Sequence, residues 1–154
     1  MTPAIKAAEK AKIVFDVHQY EHDPNTAAYG EEAAKALGVT AERVFKTLVV
    51  SDSKALAVAI VPVASRLNLK ACASALKTKR VNMAEPRDAE RVTGYVVGGI
   101  SPLGQKQRLR TVLDESALTF STVFVSAGRR GLEIELAPGD LSKLTTATVS
   151  SVAQ

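Results

Sequence analysis

Few residues in this sequence are of types that do chemistry unaided. His18 and His22 are the only histidines and Cys72 the only cysteine. On an extended segment, His18 and His22 share a face but stand roughly 13 Å apart at Cα, too far for one metal ion unless the chain turns. No third His, Cys or carboxylate lies at a zinc-ligand spacing from them, so structural or exposed histidines are expected. Cys72 lies within Leu69-Lys70-Ala71-Cys72-Ala73-Ser74-Ala75-Leu76. Small and apolar neighbours on a helix suit a packed thiol. Lys70 and Lys77 would lower its pKa, but no histidine neighbours it as a base, and packing is the expected role.

Two features remain. In Val44-Phe45-Lys46-Thr47-Leu48-Val49-Val50, a lysine interrupts an apolar strand near its start. If Phe45 does not share a face with Leu48 and Val50, Lys46 points with those two toward core residues. A cation there must meet an anion, reach water or snorkel to the sheet end, because burying it alone is costly. The other feature is TGYVVGGISPLGQKQRL, residues 93–109. Tyr95-Val96-Val97 reads as a strand, and three glycines and a proline follow within residues 98–104. The loop has neither the Walker spacing nor G-x-G-x-x-G, and Ser101 sits on no G-x-S-x-G elbow. Two readings are left. The loop presents backbone N–H and C=O groups to a ligand, or it is a wide turn or bulge at a sheet edge.

The elements that must position these groups follow from pattern. Thr2 caps a helix from Pro3 to about Lys12, and Ile13–Tyr20 alternates as a strand. After a polar loop at 22–26, Glu31–Leu37 is a short helix stopped by Gly38, and Thr40 restarts another. Val44–Val50 and Ala55–Val63 form a hairpin, the second strand without polar interruption and therefore buried on both faces. Leu69–Leu76 and Pro86–Val92 are helical. Ser121–Ser126 and Leu132–Leu136 form another hairpin around residues 127–131, and Pro138–Leu144 closes as a helix. Short strands among short helices, in no strict βαβ rhythm, indicate an α+β fold with a mixed, curled sheet and peripheral helices.

At 154 residues the chain suits one domain with a substantial core. Its formal charge of +4 favours an anionic partner without a nucleic-acid-binding tail. One cysteine precludes an intramolecular disulfide and fits a reducing compartment. No signal peptide and no apolar run of about 18 residues is visible, so a cytoplasmic protein without membrane attachment is expected.

Five blocks carry a resemblance: YEHDP at 20–24, VFKTLVV at 44–50, LAVAIVPV at 56–63, TGYVVGGISPLGQKQRL at 93–109 and SAGRRGLEIELAPGDL at 126–141. In this order they resemble the YbaK-type Cys-tRNA(Pro) deacylases, free-standing relatives of the editing domain of bacterial prolyl-tRNA synthetases. The resemblance runs from Met1 to the last helix. It implies one editing domain over 1–154, a barrel-like mixed sheet, and a cleft for the aminoacylated 3′ end of tRNA. It also implies hydrolysis of Cys-tRNA(Pro) with no cofactor, no metal and no protein nucleophile, the substrate's own thiol attacking its ester. The partners implied are aminoacylated tRNA and prolyl-tRNA synthetase, not DNA.

Residue by residue, Lys46 matches the family's essential lysine, expected at the terminal phosphate or the ester. Gly99 and Ser101 match the loop that embraces the aminoacyl group, flanked by Gly98 and Ile100. Tyr20 matches a pocket tyrosine, and Tyr29 falls where relatives carry an aromatic, as a platform for a base. Ser126 and Glu133 match hairpin positions, Glu133 replacing the more common aspartate; an exposed carboxylate paired with Arg129 or Arg130 is its other reading. Two alternatives stand beside the Cys-tRNA(Pro) deacylase: an editor specific for alanine, and a non-catalytic module that binds tRNA acceptor ends or a synthetase.

Overall fold

The computed structural model describes every residue except Ala27. In chain order the elements are α1 (Pro3–Ala11), β1 (Phe15–Gln19), α2 (Tyr29–Leu37), β2 (Phe45–Ser51), β3 (Leu56–Pro62), α3 (Leu69–Ala75), β4 (Asn82–Met83) and α4 (Pro86–Thr93). They continue with β5 (Arg110–Asp114), a 3-10 turn (Glu115–Thr119), β6 (Val123–Arg129), β7 (Leu132–Leu136), α5 (Pro138–Thr145) and β8 (Thr148–Ser150). The expected capping holds: the Thr2 hydroxyl accepts the Ile5 N–H at 3.2 Å, and Gly38 ends α2 with φ +69°.

The most apolar run becomes the centre of the fold. β3 pairs antiparallel with β2 and parallel with β5 in a five-stranded sheet of order β4-β2-β3-β5-β8. Its two faces fill separate cores, as its uninterrupted apolar sequence predicts. Val58 and Ile60 pack with Leu113, Val125, Ile134 and Leu141, whereas Ala57, Ala59 and Val61 pack with Cys72 and Leu76 of the α3 segment. A three-stranded antiparallel sheet, β1-β7-β6, covers the first of these faces.

The two sheets meet at a parallel bridge between Val44 and Phe124, where the Phe124 N–H donates to the Arg43 carbonyl at 3.0 Å. The Arg43 side chain reinforces the seam by donating to the Thr122 carbonyl and to Glu135. Neither sheet closes on itself. The α+β class expected from the sequence is found, but its single curled sheet is two open sheets, barrel-like only in outline.

Three local expectations change. Tyr95–Val97 is not a strand, because α4 stops at Gly94 (φ +80°) and the Tyr95 ring turns into the core, its hydroxyl donating to the Leu103 carbonyl at 2.6 Å. Thr40 begins a single hydrogen-bonded turn to Arg43 rather than a helix. The β6–β7 connection is tighter than expected: β6 runs on to Arg129 through a bulge, leaving Arg130 and Gly131 at the tip.

Candidate active site

A cavity of about 450 Å³ opens where α2, the outer edge of β2, the start of α4, the glycine loop and the β6–β7 hairpin converge. Seven of the nine expected site residues line it: Tyr20, Tyr29, Lys46, Gly98, Ile100, Ser126 and Glu133. The edge of β2 is available because β4 pairs only with Val50 and Ser51. Every residue from Val44 to Val49 therefore contributes to the wall.

Lys46 pairs across to Val61, in the same alternation as Leu48 with Ala59 and Val50 with Ala57. Those partners belong to the core beneath α3, while Phe45 belongs to the other core, so Lys46 does lie on a core-directed face. It is half-buried, and among the described residues it makes no ion pair. Burial holds its pKa below the ordinary lysine value, Glu31 opposes that shift and Arg66 adds to it. A partly desolvated ammonium without a partner is an anion-seeking group.

Glu133 is a second unusual charge site. It faces Ser126 across the hairpin and His18 across β1, is 6 % exposed, and enters no ion pair among the described residues. The exposed, arginine-paired carboxylate is thus excluded. Burial pushes its pKa up to about 8, so at neutral pH it is mostly a protonated acid able to donate. Burial, and secondarily the Glu133 charge, raises the Tyr20 hydroxyl to about 12.

Tyr29, the first residue of α2, is clasped by Arg130. The guanidinium carbon lies 4.0 Å from the ring centroid, and one guanidinium nitrogen donates to the Tyr29 hydroxyl at 2.7 Å and to the Val97 carbonyl at 3.0 Å. Gly98 makes room for this contact. At φ +95°, a Cβ on it would stand 2.4 Å from Arg130 Nε and 2.8 Å from the Tyr29 ring. The Tyr29 ring therefore has one face already stacked.

Gly99 and Ser101 do not line the cavity. A Cβ on Gly99 would lie 2.7 Å from the Arg129 Cα, and its N–H is committed to the Val96 carbonyl at 2.8 Å. Ser101 is fully buried, its hydroxyl accepting the Leu103 N–H at 3.2 Å. Both residues fix the loop from behind and leave Gly98 and Ile100 to face the cavity. What approaches the Gly99 backbone is the neighbouring hairpin.

Three contributors escaped the sequence reading. The Thr47 hydroxyl is buried and has no hydrogen-bond partner among the described residues. Glu31 lines the cavity, and Arg130, outside the lining, supports its Tyr29 wall. No histidine or cysteine belongs to the described lining. His18 and His22 instead bond Glu135 and Glu32, at 2.9 and 2.7 Å. Cys72 is buried beneath the sheet, and burial pushes its thiol pKa up. The arrangement thus offers a cation, a neutral acid and backbone groups, and among the described residues no histidine or cysteine nucleophile beside a base.

Comparisons with known proteins identify the family and the fold. Residues 23–144 match the model of the aminoacyl-tRNA editing domain family. A relative from Enterococcus faecalis, provisionally named as the Cys-tRNA(Pro)/Cys-tRNA(Cys) deacylase EbsC, is 36 % identical over 98 % of this chain and 92 % of its own length. Two crystal structures share the fold at 24 % identity. One is a protein described provisionally as a trans-editing enzyme for prolyl-tRNA synthetase (TM-score 0.85; 100 % of this chain and 99 % of that one). The other is a hypothetical protein (TM-score 0.88; 99 % and 100 %).

Proposed function

Since the chain belongs to the aminoacyl-tRNA editing domain family, we propose that it is a trans-acting aminoacyl-tRNA deacylase that clears cysteine from proline tRNA. The single observation that carries this reading is Lys46, an unpaired, half-buried ammonium in a cavity whose described lining holds no histidine or cysteine. Such a site suits a substrate that brings its own nucleophile and an anionic backbone. The need for a second hydrolytic site is physical. Cysteine and proline are close in size, and an apolar pocket separates near-isosteres by only about 1–3 kcal/mol.

In the proposed reaction the thiol of the esterified cysteine attacks its own carbonyl. The new S–C bond forms as the C–O bond to the ribose breaks, and the thiol proton ends on the departing ribose oxygen. Water then opens the cyclic thioester to free cysteine. An ordinary thiol, with a pKa of about 8.5, is a few per cent thiolate at neutral pH, so positioning is the main requirement. Well-oriented intramolecular attack can supply about 7–11 kcal/mol.

The residues take roles accordingly. Lys46 meets the terminal phosphate or the developing charge of the ester oxygen. Protonated Glu133 and Tyr20 donate to the aminoacyl group, and Gly98 and Ile100 offer backbone beside it. Gly99 and Ser101 keep that loop in shape, and Ser126 completes the hairpin wall. Aminoacylated tRNA is the substrate, and prolyl-tRNA synthetase is proposed as the partner that supplies tRNA selectivity.

The test is release of radiolabelled amino acid from proline tRNA charged with cysteine, alanine, serine or proline. Selective loss of cysteine supports the reading. Rapid release of alanine, which has no thiol, would move the protein to the alanine-specific class; no release from any ester would leave a binding module.

A further inference from the structure

A second cavity, of about 550 Å³, is lined by Lys54, Arg91, Arg108 and Arg110 with Asp88 as its one acidic residue. We propose that this cavity binds the phosphodiester backbone of the tRNA acceptor end, behind the nucleotide whose ester occupies the first cavity. The proposal rests on the deacylase reading above and adds a site to it.

Three separate segments are built so that these cations converge. In the β2–β3 turn, Asp52 Oδ1 accepts the N–H groups of Lys54 and Ala55 at 3.0 and 2.8 Å, fixing the residue that carries the ammonium. At the start of β5, Arg110 donates to the Leu76 carbonyl at 2.9 Å and to Asp52 at 3.1 Å. The loop before β5 is tied to the end of α4 by Lys106 N–H to the Thr93 carbonyl (2.9 Å) and Gln107 N–H to the Val92 carbonyl (3.0 Å). That tie brings Arg108 beside Arg91.

Arg110 and Arg91 each meet a carboxylate, and the other two charges are uncommitted. Among the described residues, Lys54 and Arg108 have no carboxylate partner, Arg108 donating only to the Thr146 hydroxyl. Arg91 reaches Asp88 at 3.5 Å, the arginine exposed and the aspartate partly buried. Guanidinium forks match phosphate oxygens bidentately. No aromatic side chain belongs to the described lining, so the cavity has no aromatic platform for a base. Phosphodiester backbone is the ligand chemistry that these cations favour.

Its position supports the same conclusion. Pro86 and Ala89 of α4 line the first cavity, while Asp88, Arg91 and Val92 of the same helix line the second. An eight-residue helix is about 12 Å long, so a nucleic-acid strand leaving one cavity is within reach of the other.

The experiment measures fluorescence anisotropy of an uncharged RNA hairpin with the acceptor-stem sequence and its unpaired 3′ end, across a salt series. Arg91→Gln combined with Arg108→Gln should lower the slope of log K against log salt by about 1.4–1.8, since each lost phosphate contact removes about 0.7–0.9. Lys6→Gln with Lys10→Gln, on exposed positions of α1, makes the same change in net charge and should leave the slope unchanged. Melting curves verify folding, and Lys54→Gln, with half that loss of slope, replaces the double variant if it is unstable. A wild-type slope in the arginine variant would overturn the proposal and redirect the patch to an acidic protein surface. An equal loss in both double variants would overturn it too, by reducing the effect to overall charge. Because the RNA is uncharged, failure of deacylation would count against the catalytic reading without altering this measurement.

Discussion

Arg130 and Tyr29 hold each other across one wall of the first cavity, the guanidinium 4.0 Å over the ring and bonded to its hydroxyl at 2.7 Å. The same guanidinium holds the Val97 carbonyl, so one exposed side chain joins α2, the glycine loop and the β6–β7 tip. A cation–π contact of about 0.5–1 kcal/mol and hydrogen bonds of about 1 kcal/mol each are at stake. Arg130→Ala is predicted to lower kcat/KM for Cys-tRNA(Pro) about tenfold, mainly through KM, and Arg130→Lys should recover part of it. Steady-state kinetics with melting curves decide the matter. A lowered Tm with unchanged KM would reduce Arg130 to a structural tie.

Lys46→Ala is predicted to abolish deacylation, with a loss of at least about 10²–10³ in kcat, the size seen when one charge-stabilising donor is removed. Because the ammonium is partly desolvated and unpaired, its removal should leave Tm within a few degrees of wild type. Single-turnover hydrolysis provides the measurement. Activity that survives in a folded variant would remove Lys46 from the chemistry.

Glu133 predicts a pH signature. Its folded pKa of about 8 lies above the ordinary 4.5, so the unfolded chain ionises first and the native state binds the extra proton. The favourable share of stability is complete below about pH 4.5, declines as pH rises, and is lost above about 8. Glu133→Gln, which cannot ionise, should therefore gain stability over wild type progressively across that window, by a few kcal/mol at most. Paired thermal melts from pH 4.5 to 9 test this. A pH-independent difference would mean that the carboxyl is solvated after all.

Much of this site was legible because its parts are backbone patterns. The interrupted apolar strand placed Lys46, and the uninterrupted one placed the doubly buried β3. The hairpin signals put Ser126 and Glu133 on facing strands, and the family resemblance marked them as site residues. What escaped was set by partners remote in sequence. β5, with only Val112 and Leu113 as apolar residues, is a strand because β3 and β8 flank it. The depth of Glu133 depends on β1 as well as on its own hairpin. Tyr95 has a strand former's side chain but follows a helix stop and finds no strand to pair with. Arg130 reads as an ordinary turn residue until the tip of the hairpin is brought to Tyr29.

The glycine pair in the loop separates shape from contact. Gly99 faces backbone: an added methyl would lie 2.7–3.0 Å from the Arg129 Cα and carbonyl carbon and the Arg130 nitrogen, none of which can rotate away. Gly98 faces the flexible Arg130 side chain, although its φ of +95° strains any substituent. Gly99→Ala is therefore predicted to act on the fold, costing about 2 kcal/mol and lowering Tm by roughly 4–8 °C. Gly98→Ala should cost about 1–2 kcal/mol by strain alone. It should also push Arg130 off Tyr29 and raise KM as Arg130→Ala does. In the Gly98→Ala, Arg130→Ala double variant the two KM effects should then fall short of additive, because the first substitution has already removed what the second deletes. Fully additive effects on KM would show that the loop meets substrate through Gly98 independently of the Arg130–Tyr29 clasp.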